Sequence, residues 1–243
     1  MCQPRELINS TYDDNPEPIC PCILLLDVSD SMNNRHEGLR AIDQLNNSLG
    51  LLKDIILSDE LASVRVQLAV VTFGGNGVEV IQNFTSVDKF EPSHLHAFGG
   101  TPLGAALYKA LDMIREWKAN YPANKPSYYK PWLVVFTDGD PNDQGWENAV
   151  KLVHQAEYER KGVNYFVFGV QPIRIDTLKQ ISPSKLSKER KQSMLLLEDH
   201  EAFREIFQWL GGALSVVSNS NADMQQVELP VLPQSTRVIT VDL

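Results

Sequence analysis

Five oxygen-bearing side chains are placed so that they can share one ion. Asp27, Ser29 and Ser31 alternate in Asp27-Val28-Ser29-Asp30-Ser31, so one tight loop can turn all three oxygens inward. Thr101 stands just before a helical pattern in FGGTPLG, and Asp138 ends the apolar run LVVFTD at 133–138. The set holds two carboxylates and three hydroxyls, with no imidazole or thiol. Hard divalent cations prefer such a shell; magnesium wants a near-octahedral arrangement and keeps waters, and manganese is also compatible. Asp27 and Asp138 together about neutralise a divalent ion, and the hydroxyls are neutral. The ion then remains an acceptor for an outside carboxylate, which suits a recognition site completed by a partner's Asp or Glu.

Each piece alone is weak. A serine in an Asp/Ser-rich loop can cap a helix, Thr101 can cap the helix that begins near Pro102, and a Thr-Asp-Gly string is a turn. The order carries the argument: two acids at strand ends and one hydroxyl at a helix start. Asp30, Asp140 and Asp143 lie beside these groups and could orient waters around an ion. A simpler expectation is that Asp143 caps the helix starting near Gly145 while Asp140 shapes the Pro-Asn turn.

The elements that must position these groups follow from periodicity. ICPCILLLD is a continuous apolar run, as in a central strand buried on both faces. Leu39, Ile42, Leu45, Leu49, Leu52 and Ile56 recur at helical spacing over 37–57. Strands are expected at 64–73 and, at an edge, near 78–83. A helix follows over 102–119, with Pro102 suited to its first turn. Then come a strand ending at Asp138, a helix over 145–160, the strand GVNYFVFGV, a short helix at 175–181, a strand near 193–197 and a closing helix EAFREIFQWLGGALSVV weakened by Gly211 and Gly212. Parallel strands need crossovers, which the helices supply. The fold class is therefore α/β, a Rossmann-like open and mostly parallel sheet with helices on both faces. Ligands in such sheets bind beyond the carboxyl ends of the strands, where both acids fall. Residues 1–18 read as a lead-in segment, 19–217 as the domain and 218–243 as a tail whose TRVITVDL can form an added strand.

Composition bounds the rest. The chain has 243 residues, 43% of them hydrophobic and 22% charged, an ordinary globular balance. Its 22 Lys and Arg against 31 Asp and Glu give −9, a poor footing for nucleic acid or anionic membranes, since phosphate contacts need concentrated basic residues. Three cysteines are too few for a disulfide scaffold; Cys20 and Cys22 read as buried, inert thiols. The first twenty residues lack a basic segment followed by an apolar one, and no run reaches membrane-spanning length, so the expected location is cytoplasmic. His94 and His96 lack a third soft ligand. Trp117 and the YPANKPSYYKP loop read as packing, with an exposed aromatic surface as the alternative.

DVSDSM at 27–32, GGTPLG at 99–104 and FTDGDP at 136–141 resemble the metal-ion-dependent adhesion site (MIDAS) of the von Willebrand factor A-domain family, also called the integrin inserted-domain fold. The resemblance covers about residues 20–217. It implies a six-stranded sheet with the short strand near 78–83 antiparallel. It further implies that Ser29 and Ser31 ligate directly, with Thr101 joining or alternating, and that Asp27 and Asp138 bind directly or through water. Among the family's branches the chain looks most like bacterial tellurium-resistance Y-type proteins, which are cytoplasmic and linked to stress-response or phospho-signalling systems with kinase and phosphatase companions. The family commonly has glycine where this chain has Asp30, whose extra charge can raise cation affinity or discourage an acidic partner.

The expected function is a divalent-metal-dependent protein-protein interaction module, not an enzyme. A metal-dependent hydrolase or phosphatase is the alternative, because metal and paired carboxylates can activate water; there is no GxxxxGK[ST] loop for a nucleotide. A third reading is a scaffold subunit in which the ion is structural.

Overall fold

The structure is a computed structural model that describes residues 15–36, 38–183, 191–197, 200–223, 227–234 and 236–242. The CPCILLLDV run forms β1 (Cys20–Val28), buried along its whole length. It pairs in parallel with β2 (Val66–Gly74) on one side and β4 (Trp132–Thr137) on the other. Beyond β2 lies the antiparallel β3 (Gly77–Ser86), and beyond β4 come the parallel strands β5 (Asn164–Val170) and β6 (Lys191–Leu197). The expected six strands, with one antiparallel at the edge, are thus in the order β3-β2-β1-β4-β5-β6. The tail adds a seventh, β7 (Thr236–Asp242), antiparallel to β6 over seven registered pairs.

Alternation along β1 explains the layers. Cys20, Cys22, Leu24 and Leu26 join one apolar cluster with Leu45, Leu49 and Leu52 of α1 (Ala41–Leu57) and Ile206, Phe207 and Leu210 of α6 (His200–Ser218). Ile23 and Leu25 face the other way, with Leu107 and Ala110 of α3 (Leu103–Asn120) and Val150 and Val153 of α4 (Trp146–Tyr158). Each such Leu or Ile, fully buried, contributes about 1.5–3 kcal/mol, so both helical layers are tightly fixed to the sheet. Two short helices, α2 (Glu60–Arg65) and α5 (Ile175–Ile181), complete the crossovers.

Several boundaries differ from the sequence expectation. The first helix begins at Ala41 rather than 37, because residues 35–36 and 39–40 pair as a small antiparallel ladder. Residues before Val66 are helical, capped by Asp59, whose carboxylate accepts from the Ala62 amide. Gly211 and Gly212 do not weaken α6 into a break: a Cβ at Gly211 would stand 2.7 Å from Ile55, so the bare backbone seats α1 against it.

At the end of the sheet opposite the acids, Arg65 ties distant segments together. It donates to Glu17 Oε2 at 2.5 and 2.8 Å, to the Ser218 carbonyl at 2.6 Å and to Tyr129 Oη at 3.3 Å. Trp117 is buried, its Nε1 donating to Gln67 at 2.8 Å within a cluster with Tyr121 and Tyr128; the packing reading holds. Cys20 and Cys22 are buried free thiols, and burial pushes Cys20 up to about 12 and raises Cys22 as well. Among the described residues no helix is long and apolar enough to cross a membrane.

Candidate metal centre

The two acids meet because β1 and β4 are parallel neighbours in a fixed register. Leu26 pairs with Phe136, so the next residues, Asp27 and Thr137, emerge side by side at the carboxyl end of the sheet. Thr137 Oγ1 donates to Asp27 Oδ2 at 2.5 Å, and the Ser29 amide donates to Asp27 Oδ1 at 2.8 Å. The chain then turns through a short 3-10 helix, Asp30–Asn33, closed by Met32 N to Ser29 O at 3.1 Å. That turn brings Ser29 Oγ within 3.0 Å of Ser31 Oγ, and Ser31 Oγ donates to Asp138 Oδ1 at 2.7 Å. Thr101 arrives from the loop before α3, and its carbonyl accepts from the Asn142 amide at 3.1 Å. A Cβ built on Gly139 would stand 3.0 Å from Thr101 Oγ1 and 3.5 Å from Ser31 Oγ, which places both hydroxyls against the Asp138 turn. All five residues expected at the site therefore converge.

The pocket is electrostatically unbalanced. Asp27, Ser29, Thr101 and Asp138 are all buried. Burial, and secondarily the neighbouring Asp27 charge, pushes the Asp138 carboxyl up to about 7. Burial also raises Asp27, against the opposing hydrogen bonds from Ser29 and Thr137. Among the described residues neither carboxylate has an ion-pair partner. Two adjacent buried acids with hydroxyls around them and no counter-charge fit a hard divalent cation, in donor type and in charge. Among the described residues no three His, Cys, Asp or Glu side chains gather as a metal-binding group. The centre has only two carboxylates, and its remaining donors are hydroxyls.

The three outer acids separate. Asp30 is exposed, and its amide donates to the Gly99 carbonyl at 3.0 Å. It lies in the right-handed 3-10 turn, a conformation open to any residue, so the absence of glycine there costs nothing in backbone terms. Asp140 points away from the centre, accepting from Thr177 and pairing with Arg174 at 3.1 Å. Asp143 does not cap α4, as expected from its position just before Gly145. Its carboxylate accepts from the Gly104 and Ala105 amides at 3.2 and 2.8 Å, capping α3 instead. The α3 amino end lies nearer in space because Thr101 and Asn142 already join the two loops. Thr137 is the contact to Asp27 that spacing alone missed; its signal was a hydroxyl closing an otherwise apolar strand. His94 and His96 are exposed and touch edge to face at 4.9 Å.

A family model for the von Willebrand factor type A domain matches residues 22–209. The chain belongs to the von Willebrand factor type A family. Such domains are generally protein-interaction modules. No curated protein matches the chain in sequence. Among solved structures, the pilus adhesin SpaC from Lactobacillus rhamnosus GG superposes with a TM-score of 0.59 at 12% identity, covering 83% of this chain and 31% of that one. The PilB minor pilin from Streptococcus sanguinis gives 0.57 at 14% identity, covering 82% and 62%. Proximal thread matrix protein 1 from the mussel byssus gives 0.52 at 18%, covering 84% and 47%. At these identities the likeness is one of fold. The chain spans less than two thirds of each of these three proteins. The comparisons establish the family and not a branch within it.

Proposed function

We propose that this von Willebrand factor A domain binds its protein partner through a divalent cation, magnesium or else manganese, held by Asp27, Ser29, Ser31, Thr101 and Asp138. The observation that carries the proposal is the pair of buried, mutually repelling carboxylates that converge with three hydroxyls and have no ion-pair partner among the described residues. A bound cation would supply the missing charge and accept a carboxylate from the partner's Asp or Glu. This chain's part is to hold the oxygens. Thr137 and the Ser29 amide orient Asp27, Ser31 orients Asp138, and Asp143 fixes the start of α3 behind Thr101. The motif likeness to tellurium-resistance Y-type proteins supports a cytoplasmic stress-response or phospho-signalling context, with kinase or phosphatase companions.

Calorimetric titration with magnesium chloride tests the site. The wild-type chain should bind about one ion, and Asp27→Ala should bind none while keeping its circular dichroism spectrum. Unchanged affinity in Asp27→Ala would remove the assigned centre. For the partner, affinity capture with wild type should succeed in magnesium and fail in chelator; equal capture in both would place the partner on another surface.

A further inference from the structure

The β2–β3 hairpin turn contributes none of the five oxygens, yet it sits at a junction of three backbones. The Gly75 amide donates to the Phe98 carbonyl at 2.5 Å, the Phe98 amide to the Val28 carbonyl at 2.8 Å, and the Asp30 amide to the Gly99 carbonyl at 3.0 Å. Val28 and Asp30 flank Ser29, and Gly99 is two residues before Thr101. The packing allows no side chain. A Cβ on Gly99 would meet Gly75 backbone atoms at 2.8–2.9 Å, and one on Gly74 would meet Val28 and Ser29 backbone atoms at 2.5–2.8 Å. A Cβ on Gly75 would instead strike the Phe98 ring at 2.3–2.8 Å.

We infer that this turn is a positioning device: Gly75 and Gly99, through their contact, set the register between the loop bearing Ser29 and Ser31 and the loop bearing Thr101. Magnesium demands near-ideal octahedral geometry at about 2.0–2.1 Å. A shift of a few tenths of an ångström between the two loops is therefore felt at the ion, although no ligand has been altered. Groups that orient ligands without touching the metal typically govern 10–100-fold in affinity, and that is the range expected here. The inference rests on the metal reading above, but the register itself exists without the ion.

The test uses the full chain and magnesium chloride alone, with amide hydrogen exchange in chelator as a second, metal-free readout. Gly99→Ala and Gly75→Ala should each weaken magnesium binding by about 10–100-fold and speed exchange at the Asp30 amide. Gly75→Ala combined with Phe98→Ala should recover the part of the loss that the struck ring causes, while the strain of alanine at φ +35° remains. Gly77→Ala is the control. Gly77 has φ +115°, so alanine is strained in the same hairpin, but nothing lies within 4 Å of its Cβ; its affinity should stay at the wild-type value. Equal loss in Gly77→Ala would overturn the inference by showing that any damage to the hairpin suffices. Unchanged affinity in Gly99→Ala would overturn it as well. If wild type itself binds no magnesium, the metal reading fails. Exchange at Asp30 then decides the register alone, faster exchange in Gly99→Ala upholding it and unchanged exchange refuting it.

Discussion

Replacing Asp138 by asparagine should strengthen the metal-free fold while destroying the metal site. Asp138 is 5% exposed, and burial beside Asp27 lifts its carboxyl from 3.8 to about 7. The folded state therefore holds a proton that the unfolded chain releases between those values. Stability in the absence of metal is highest below the unfolded pKa, falls as pH rises, and levels off above about 7. At about 1.36 kcal/mol per unit, burying this acid costs roughly 4 kcal/mol at pH 8, where it is ionised, and roughly 2 kcal/mol at pH 5, where it must take up a proton to fold. Asparagine carries no charge and can still accept from Ser31 Oγ, now 2.7 Å from Asp138. In chelator, urea unfolding followed by circular dichroism should show Asp138→Asn more stable than wild type by up to about 4 kcal/mol at pH 8, with the gap shrinking by about half at pH 5. Magnesium at a hundredfold its dissociation constant should return about 2.7 kcal/mol to wild type and almost none to the variant. A variant less stable than wild type at pH 8 in chelator, or a gap independent of pH, would refute the electrostatic account.

Other outcomes follow from the same contacts. Thr137→Val removes the hydroxyl that donates to Asp27 and should weaken magnesium binding about tenfold by calorimetry, with the fold intact. Asp143→Ala should cost about 1 kcal/mol in thermal unfolding through loss of the α3 cap, and Asp140→Ala, which removes an exposed pair with Arg174 and the acceptor of the buried Thr177 hydroxyl, should cost about 1–3 kcal/mol. Arg65→Ala removes the ion-pair partner of Glu17 and one of the two donors to the Ser218 carbonyl, which keeps the Tyr129 hydroxyl at 2.8 Å, and should cost about 1–3 kcal/mol in chemical denaturation. Cys20 and Cys22, buried and with thiols held protonated, should resist alkylation at pH 8 until the protein unfolds, as read by site-resolved mass spectrometry.

The centre was legible in the sequence because its geometry is a consequence of strand order. Once ILLLD and LVVFTD are read as buried parallel strands, their terminal acids must emerge on one side of the sheet, and only adjacency remains to be established. The register Leu26 to Phe136 provides it. What could not be read was contact between loops distant in sequence. Asp143 lies two residues from Gly145, so proximity along the chain suggested α4; the Asn142–Thr101 backbone bond carries it to α3 instead. The helix start at Ala41 was hidden for a similar reason: Leu39 continues the apolar period, but its backbone is used by a two-residue ladder with His36. TRVITVDL alternates too weakly to identify its partner, and pairing with β6 depends on an edge that exists only after the sheet is formed.

The burial of both acids bears on why the site exists. A fold that is stable by only about 5–15 kcal/mol carries an uncompensated cost of roughly 4 kcal/mol at Asp138 in the absence of metal, and Asp27 adds to it. At Asp138 a neutral residue could make the same contact: asparagine would keep the Ser31 hydrogen bond and shed the charge. The nearby Asp140 and Asp143 show how this chain treats structural acids: one pairs with Arg174, the other takes two helix amides. Asp27 and Asp138 receive hydroxyls and an amide, enough to orient them and too little to neutralise them. Two acids that are oriented but given no counter-charge, and whose ionised forms burial therefore disfavours, make sense when the balancing positive charge comes from outside the chain. The exposed Asp30 at the same loop then adds a negative charge where a partner would approach. Asp30→Gly should therefore weaken the cation modestly and strengthen an acidic partner, and salt should shrink both effects, since an exposed charge is screened over about 10 Å at 0.1 M. Titration of the variant with magnesium at two ionic strengths measures the first effect. An affinity that rises on removing Asp30 would mean that its carboxylate competes with the cation's own ligands.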